Sequence, residues 1–548
     1  MDRIFQKKYM VIVAILAVLA VYFLSLGSYG LLEEDEGRYS EIPREMIESG
    51  DYVTPKLNYV KYFEKPVLLY WMNAASFHVF GETEFAARFP STATAVLGAL
   101  VTGLLATQLF GFTSGILAAL ITALSLLYFA VGQINITDMP LSFFLTLAMA
   151  TFYYAHISGK KAWYALFYAS MACAVLTKGL IGIVLPCGII FWYIIFTKKW
   201  KLFIEPLYIP GIILFFAITV PWFYAVCKAN EDFFYFFFIY EHFVRFSTTV
   251  HNRYEPIWYF VPMIPLGLMP WTGFFFSLFS KKSIIFSKKS EKDKNSVIFL
   301  LLWFAVIFVF FSISKSKLIP YVVPCMPPLA ILMGVNISSM IESKKWFGGA
   351  MVSTAIISVF ISVGLFVYAF VGKLIPTKDT LPIAIEASVP LLLGTGFALF
   401  FSAKKNFRYA ILSLVISAFF FMYSLAGIFD ILNDTRSFKD VSTIINKELK
   451  ADETLVVFGD LTPGINFYTK KRILYVDHYG ELEFGGKKEE GKGWFIKKKE
   501  FLKDWNSGNK KYLLVVQKKR FKKLFPNGVT GETKRIVHGD TIILFNRR

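Results

Sequence analysis

Apolar runs of membrane-crossing length recur along most of this chain, separated by short polar loops. A helix needs roughly 20 such residues to cross the hydrocarbon core. About thirteen stretches meet that criterion: 10–30, 88–110, 112–131, 140–157, 162–177, 180–195, 203–226, 257–279, 297–313, 320–341, 346–371, 381–401 and 407–432. The segment 66–81 is apolar but short and reads as an interfacial helix. From about residue 433 the pattern changes. "DTRSFKDVSTIINKELK" reads as an amphipathic helix with Ser437 at its N-cap and Asp440 three residues on. "TLVVFGD", "RILYVD", "YLLVVQKK" and "TIILF" read as short strands between turn residues. The pattern predicts a mainly α polytopic membrane domain over 1–432 and a small soluble α/β domain over 433–548.

Composition agrees. At 55% hydrophobic residues and a mean hydropathy of +0.53, the chain lies outside the range of an ordinary soluble domain. The 10–30 run is too long for a signal-peptide core and reads as a retained first span. Cys173, Cys187, Cys227 and Cys325 sit in or beside apolar segments without metal-ligand spacing, and read as small core residues.

The net charge of +19 would suggest nucleic acid in a soluble protein. Here its placement argues for anionic lipid instead. Basic clusters occupy every second loop: the "DRIFQKK" N-terminus, Lys160 and Lys161, Lys198 to Lys201, "SKKSIIFSKKSEKDK", Lys344 and Lys345, and Lys404 to Arg408. That is the positive-inside bias. It predicts a cytoplasmic N-terminus, with the carboxylate-rich loops and the C-terminal domain outside.

Candidate chemistry lies in those outer loops. "GLLEEDEGRYSEIPREMIESGDY" places Glu33, Glu34, Asp35 and Glu36 side by side at the end of an apolar run, followed by Arg38 and Tyr39. Glu33 and Glu34 read as a solvated flank. Glu41, Glu45 and Glu48 stand at helical spacing from Arg38 and Arg44, as local pairs would. "YFEKP" adds Glu64 and Lys65. In "GQINITDMP", Asp138 precedes Pro140 and belongs at or near a helix N-cap. Lys178 in "LTKGLIG" and Lys317 in "SKSKLIPYVVP" end spans, where lysines can simply snorkel. "DFFYFFFIYEHF" could line a groove for a lipid tail or merely sit in the interface. Charges near a membrane are costly unless used or paired. This mixture can hold an anionic substrate by its cations, Arg as a planar fork and Lys as a point charge, while its carboxylates take part in chemistry.

"EDEGRYSEIPREMIESGDYVTPKLNYVKYFEKPVLLYW" resembles the first outer loop of the bacterial aminoarabinose transferases, within the dolichyl-phosphate-mannose protein mannosyltransferase superfamily. The resemblance continues through "NITDMPLSFF", "LTKGLIGIVLP", "YEHFVRF", "HNRYEPIWYFVP" and "SKSKLIPYVVPCMPPLAIL", to about Pro328. It implies a GT-C type glycosyltransferase of the bacterial inner membrane with an extracytoplasmic site. The donor it implies is a sugar on undecaprenyl phosphate, and the acceptor is lipid A.

Carried onto this sequence, the resemblance makes Asp35 and Asp138 the catalytic acids. It sets Arg38, Tyr39, Lys65, Lys178, Arg245, Lys317 and Tyr321 near the donor phosphate. Glu64 and His242 match positions associated with a zinc ion, with His251 the alternative histidine. Two further readings stand beside this one. A protein O-glycosyltransferase or surface-polysaccharide transferase would use the same donor chemistry. A lipid-linked sugar transporter would use similar charges, but it would carry them near the midplane and show internal repeats.

Overall fold

The computed structural model describes residues 2–244, 255–281, 283, 290–343, 348–372 and 377–546. The chain forms two compact units. One comprises Met1–Leu26, Pro90–Cys227 and Glu231–Ile428; the other comprises Gly27–Phe89, Lys228–Asn230 and Phe429–Arg548. The segment 27–89 therefore belongs to the same unit as the C-terminal chain.

The first unit is a bundle of apolar helices. Eight helices of the described chain are long and apolar enough to cross a membrane, or up to nine if one bent pair counts as a span. Val11–Phe23 and Ile181–Thr197 are shorter apolar helices. Several of the expected spans take other forms. The 257–279 stretch divides into helices Phe260–Gly267 and Thr272–Ser277. Three prolines, Pro262, Pro265 and Pro270, remove backbone donors there. The 112–131 stretch bends by 60° between Phe112–Ala123 and Leu126–Gly132. Backbone polar groups freed inside an apolar bundle must find new partners. They do: Tyr22 donates to the Ala123 carbonyl at 2.8 Å and Trp271 Nε1 to that of Leu124 at 3.2 Å. The Leu126 N–H reaches the Met269 carbonyl at 3.0 Å.

The second unit is built around a six-stranded sheet of order β5-β4-β3-β6-β8-β7. Here β1 is Lys56–Leu57, β2 Val60–Lys61, β3 Thr454–Phe458, β4 Leu474–Val476, β5 Phe495–Ile496, β6 Tyr512–Gln517, β7 Lys534–His538 and β8 Thr541–Asn546. Strands β5, β4, β3 and β6 run parallel, while β8 and β7 are antiparallel additions. The near-continuous apolar strands suit a sheet covered on both faces. Val456, Val476, Leu514 and Val516 pack on Phe501 and Trp505. Strands β5 and β7 escaped the sequence reading: β5 has two residues, and β7 (KRIVH) is mostly exposed. The expected helix begins at Lys439 with Phe438 as its N-cap, not Ser437. The Ser437 hydroxyl instead accepts the Lys439 N–H at 3.2 Å.

The loop 27–89 is stitched into this sheet domain. β1 and β2 form a hairpin whose two turn residues, Asn58 and Tyr59, both have positive φ, of 54° and 61°. That is the geometry of a type I′ turn. Asn58 bonds Ile473 through both its amide nitrogen (2.9 Å) and its oxygen (2.8 Å). The expected interfacial segment 66–81 is the helix Leu68–Phe80, which packs on helix Asp35–Ser49 within this unit.

Candidate active site

The acidic quartet opens helix Asp35–Ser49, where carboxylates suit the positive end of the helix dipole. Its four members have four different fates. Glu34 is exposed. Glu33, expected to be a solvated flank, is half-buried: its Oε1 accepts the Gly464 N–H at 2.6 Å, and burial pushes its carboxyl well above the usual range. Glu36 is fully buried and holds Arg88 through two bonds of 2.8 Å. The rest of the Arg88 fork goes to the Tyr29 and Gly30 carbonyls, 2.8 Å each. Asp35 has a 55% exposed side chain and pairs with Arg38.

Arg38 is the centre of this cluster. It is 4% exposed, and it pairs with both Asp35 and Glu481. Its guanidinium lies 5.3 Å from the Tyr39 ring centre and 5.9 Å from that of Tyr62. Burial opposes its charge, but Tyr62, Asp35, Tyr39 and Glu64 around it more than offset this, so it stays a cation. Its Nε is buried without a hydrogen-bond partner among the described residues. Tyr62 donates to Glu481 at 3.1 Å. Glu64 is buried, and Lys65 Nζ donates to the Glu64 carbonyl at 3.0 Å. Asp35, Arg38, Tyr39, Glu64 and Lys65 therefore share one small region.

Further along the same helix, Arg44 binds Glu41 with both arms (2.6 and 2.7 Å) and Glu48 at 2.9 Å, as the spacing predicts. Both oxygens of Glu45 accept the Tyr59 N–H, at 3.2 and 3.0 Å. Burial pushes the Glu41 and Glu45 carboxyls up, and each also feels the other.

A second cluster lies wholly in the membrane unit. Asp138 is the first residue of helix Asp138–Ser158, and its N-cap is Thr137. The expected capping role is replaced by an ion pair, Asp138 Oδ1 to Lys178 Nζ at 2.6 Å, with both side chains mostly buried. Lys178 ends its helix, and its ammonium sits 4.6 Å from the Tyr321 ring centre. Lys317 does not snorkel. It is 5% exposed and donates to the Glu255 (2.8 Å) and Ser314 (2.6 Å) carbonyls. Asp138, Lys178 and Tyr321 thus form one group, with Lys317 held by backbone.

Residues 8–232 match the family model for dolichyl-phosphate-mannose-protein mannosyltransferase, and residues 441–538 match the aminoarabinose transferase C-terminal domain. An undecaprenyl phosphate-alpha-4-amino-4-deoxy-L-arabinose arabinosyl transferase of Shewanella sediminis is 31% identical, over 88% of this chain and 89% of that one. The chain belongs to the aminoarabinose transferase family. A member from Aeromonas hydrophila is 34% identical over a stretch that spans 59% of either chain, less than two thirds of its length. The crystal structure of ArnT from Cupriavidus metallidurans bound to undecaprenyl phosphate is similar at a TM-score of 0.87 and 28% identity, covering 98% of both chains. The archaeal oligosaccharyltransferase AglB of Archaeoglobus fulgidus shares the fold, at a TM-score of 0.53 and 12% identity over 94% of this chain and 70% of that one. The chain is thus a multi-pass membrane protein of the aminoarabinose transferase family with a GT-C fold.

Three residues that the family pattern singles out carry no side-chain description. Arg245 and His251 lie outside the described residues. His242 falls in helix Tyr235–Val244, with its side chain outside them too. Zinc takes three or four protein ligands in most sites. Among the described residues, no group of three or more His, Cys, Asp or Glu side chains could hold a metal ion. Glu64 lies beside Arg38, Tyr62 and Tyr70.

Two residues of this family member were missed from sequence. Glu481, in "YGELEFGG", offers no local signal, because its partner Arg38 lies in the first loop. Arg88 read as the edge of a span. An arginine there is expensive in an apolar setting, and that was the signal that it had a buried partner.

Proposed function

We propose that the protein transfers 4-amino-4-deoxy-L-arabinose from undecaprenyl phosphate to a phosphate of lipid A, at the extracytoplasmic face of a bacterial inner membrane. The observation that carries this reading is the likeness, over 98% of both chains, to a relative bound to undecaprenyl phosphate. The basic loops that alternate along the chain support a cytoplasmic N-terminus.

An acceptor phosphate oxygen attacks the anomeric carbon, and the bond from that carbon to the carrier phosphate oxygen breaks. One displacement gives inversion. The leaving phosphate gains negative charge as the bond breaks. Cations held in place for that charge bind the transition state better than the ground state. Arg38 serves this role well: it is buried, braced by tyrosine faces, and has an uncommitted Nε donor. Lys65 acts as a point charge in the same cluster; in the membrane unit, Tyr321 confines the Lys178 ammonium beside Asp138. An acceptor phosphate is already anionic and has no proton to lose, so it needs no general base. Asp35 and Asp138 then orient Arg38 and Lys178, and Asp35, the more exposed carboxylate, also meets the ammonium of the amino sugar.

The test is turnover by purified full-length protein supplied with the lipid-linked amino sugar and lipid A. Mass spectrometry should show a pentosamine increment on lipid A and free undecaprenyl phosphate in equal amounts. Movement of intact carrier across a bilayer without cleavage would instead mark a transporter. Sugar appearing on a hydroxyl acceptor while lipid A stays unmodified would mark the other transferase reading.

A further inference from the structure

The carboxyl ends of the parallel strands in the second unit carry a basic surface that the chemistry above does not use. In the order β5-β4-β3-β6, the chain leaves β3 toward β4 on one side, while β6 lies on the other. Open α/β sheets bind ligands at such a switch point, outside the carboxyl ends of the strands. Here those ends lead into Gly459 and Asp460 after β3, His478 shortly after β4, Lys497 to Lys499 after β5, and Lys518 to Arg520 after β6.

Helix Lys518–Leu524 meets three of these ends. It starts where β6 stops. Arg520 pairs with Asp460, beyond β3, at 2.6 Å. The Lys523 carbonyl accepts from Lys498 Nζ, beyond β5. Gly459 has a φ of +76°, and a Cβ there would come within 2.8 Å of the Arg520 guanidinium, so the loop lets the arginine close over the crevice. The helix is amphipathic: Phe521 and Leu524, with Phe525 just after, pack on the sheet core. Lys518, Lys519, Lys522 and Lys523 are exposed, as are Lys497 and Lys499 beside them.

None of these six lysines forms an ion pair among the described residues. Elsewhere in this unit, several exposed lysines have acidic partners, among them Lys487 with Glu483, Lys492 with Glu489, Lys510 with Asp504 and Lys511 with Asp452. The strand-end surface also holds Asp460, paired with Arg520, and Asp477, which accepts the Lys498 N–H at 2.9 Å, but its six unpaired lysines leave it a net positive field. Such a field attracts anions over about 8 Å at physiological salt.

We propose that this strand-end face, roofed by helix Lys518–Leu524, is a docking surface for the phosphorylated headgroup of the lipid acceptor. The occupant follows from charge complementarity and rests on the reading that the acceptor is a multiply phosphorylated lipid. The surface holds one acceptor phosphate while another part of the lipid reacts, so it governs acceptor affinity and not the chemical step.

The experiment uses the purified full-length protein in neutral detergent, with lipid A as the probe. Binding is read by native mass spectrometry, and turnover is read on the same samples. The variant K518Q/K519Q/K522Q/K523Q should bind lipid A tenfold or more weakly, with a correspondingly higher KM and unchanged kcat. The arginine counterpart K518R/K519R/K522R/K523R should restore binding, which separates charge from folding. Raising salt from 50 to 300 mM should weaken binding to the wild type but not to the glutamine variant. Equal affinity of wild type and glutamine variant overturns the proposal. So does an equal lysine dependence for a phosphatidylglycerol probe, which would make the face a general anionic-lipid surface. Lysine-dependent lipid A binding without any sugar transfer would uphold this surface and sink the transferase reading instead.

Discussion

Arg38 and Arg88 are two buried guanidiniums in the same unit with opposite uses. Arg88 spends its donors on Glu36 and two carbonyls. Arg38 keeps Nε uncommitted. Arg88 is structural, and under the transfer we propose Arg38 is arranged for a phosphate. Removing a preorganised donor costs about 3 kcal/mol at the transition state, a hundredfold or more in rate. Arg38→Ala and Lys65→Ala should each lose at least that much kcat while eluting as a single folded species. Near-normal turnover of either purified variant removes it from the phosphate site. Arg88→Met should instead leave a buried Glu36 without its partner, at a cost of about 3–5 kcal/mol. A thermal midpoint equal to that of wild type would contradict this. Sequence made the Asp35–Arg38 pair legible because the partners are one helical turn apart. The Glu36–Arg88 and Arg38–Glu481 pairs were not legible, since nothing local marks a partner 52 or several hundred residues away.

Helix Asp35–Ser49 is polar in sequence yet buried along most of its length. It comes close to helix Pro463–Thr469 at Gly37, where a Cβ would lie 2.5 Å from the Gly464 nitrogen. Glu36, Glu41 and Glu45 then meet little water. Burial raises Glu45, and its neighbour Glu41 raises it further. The folded protein therefore binds more protons than the unfolded chain above the ordinary carboxyl value of 4.5. Stability from this site is fully present below that pH and is lost as pH rises through the raised folded value. The melting temperature should fall between pH 5 and pH 8, and Glu45→Gln should flatten that slope. Parallel curves for the two proteins would exclude Glu45 as its source. Elements in the membrane unit were read well wherever an apolar run was unbroken, as in 297–313 and 407–432. They were misread at 112–131 and 257–279, because hydropathy records solvent preference and not continuity of the backbone. The break within 112–131 is stabilised by Tyr22 and Trp271, residues remote from the end they satisfy.

At the scale of the whole molecule, the membrane class and the C-terminal α/β fold could both be read from hydropathy and strand pattern. The joining of 27–89 to 429–548 in one unit could not, because it rests on single residues such as Asn58, Glu33 and Glu481 reaching across the sequence. A chain stopped after residue 428 should still insert its apolar helices, yet its 27–89 segment should be cut readily by protease added from outside. Protease resistance equal to that of the full chain would mean that the segment folds alone.

That shared unit also sets a schedule for biogenesis. Ribosomes add roughly 5–20 residues per second. The early segment thus emerges roughly 20–70 s before even the start of its partner segment is synthesised, given that same rate and the gap between residues 89 and 429. For that interval, seven charged side chains destined for an interior (Glu36, Arg38, Glu41, Arg44, Glu45, Glu64 and Arg88) stand in water, and the nascent protein must be guarded until its final strand arrives.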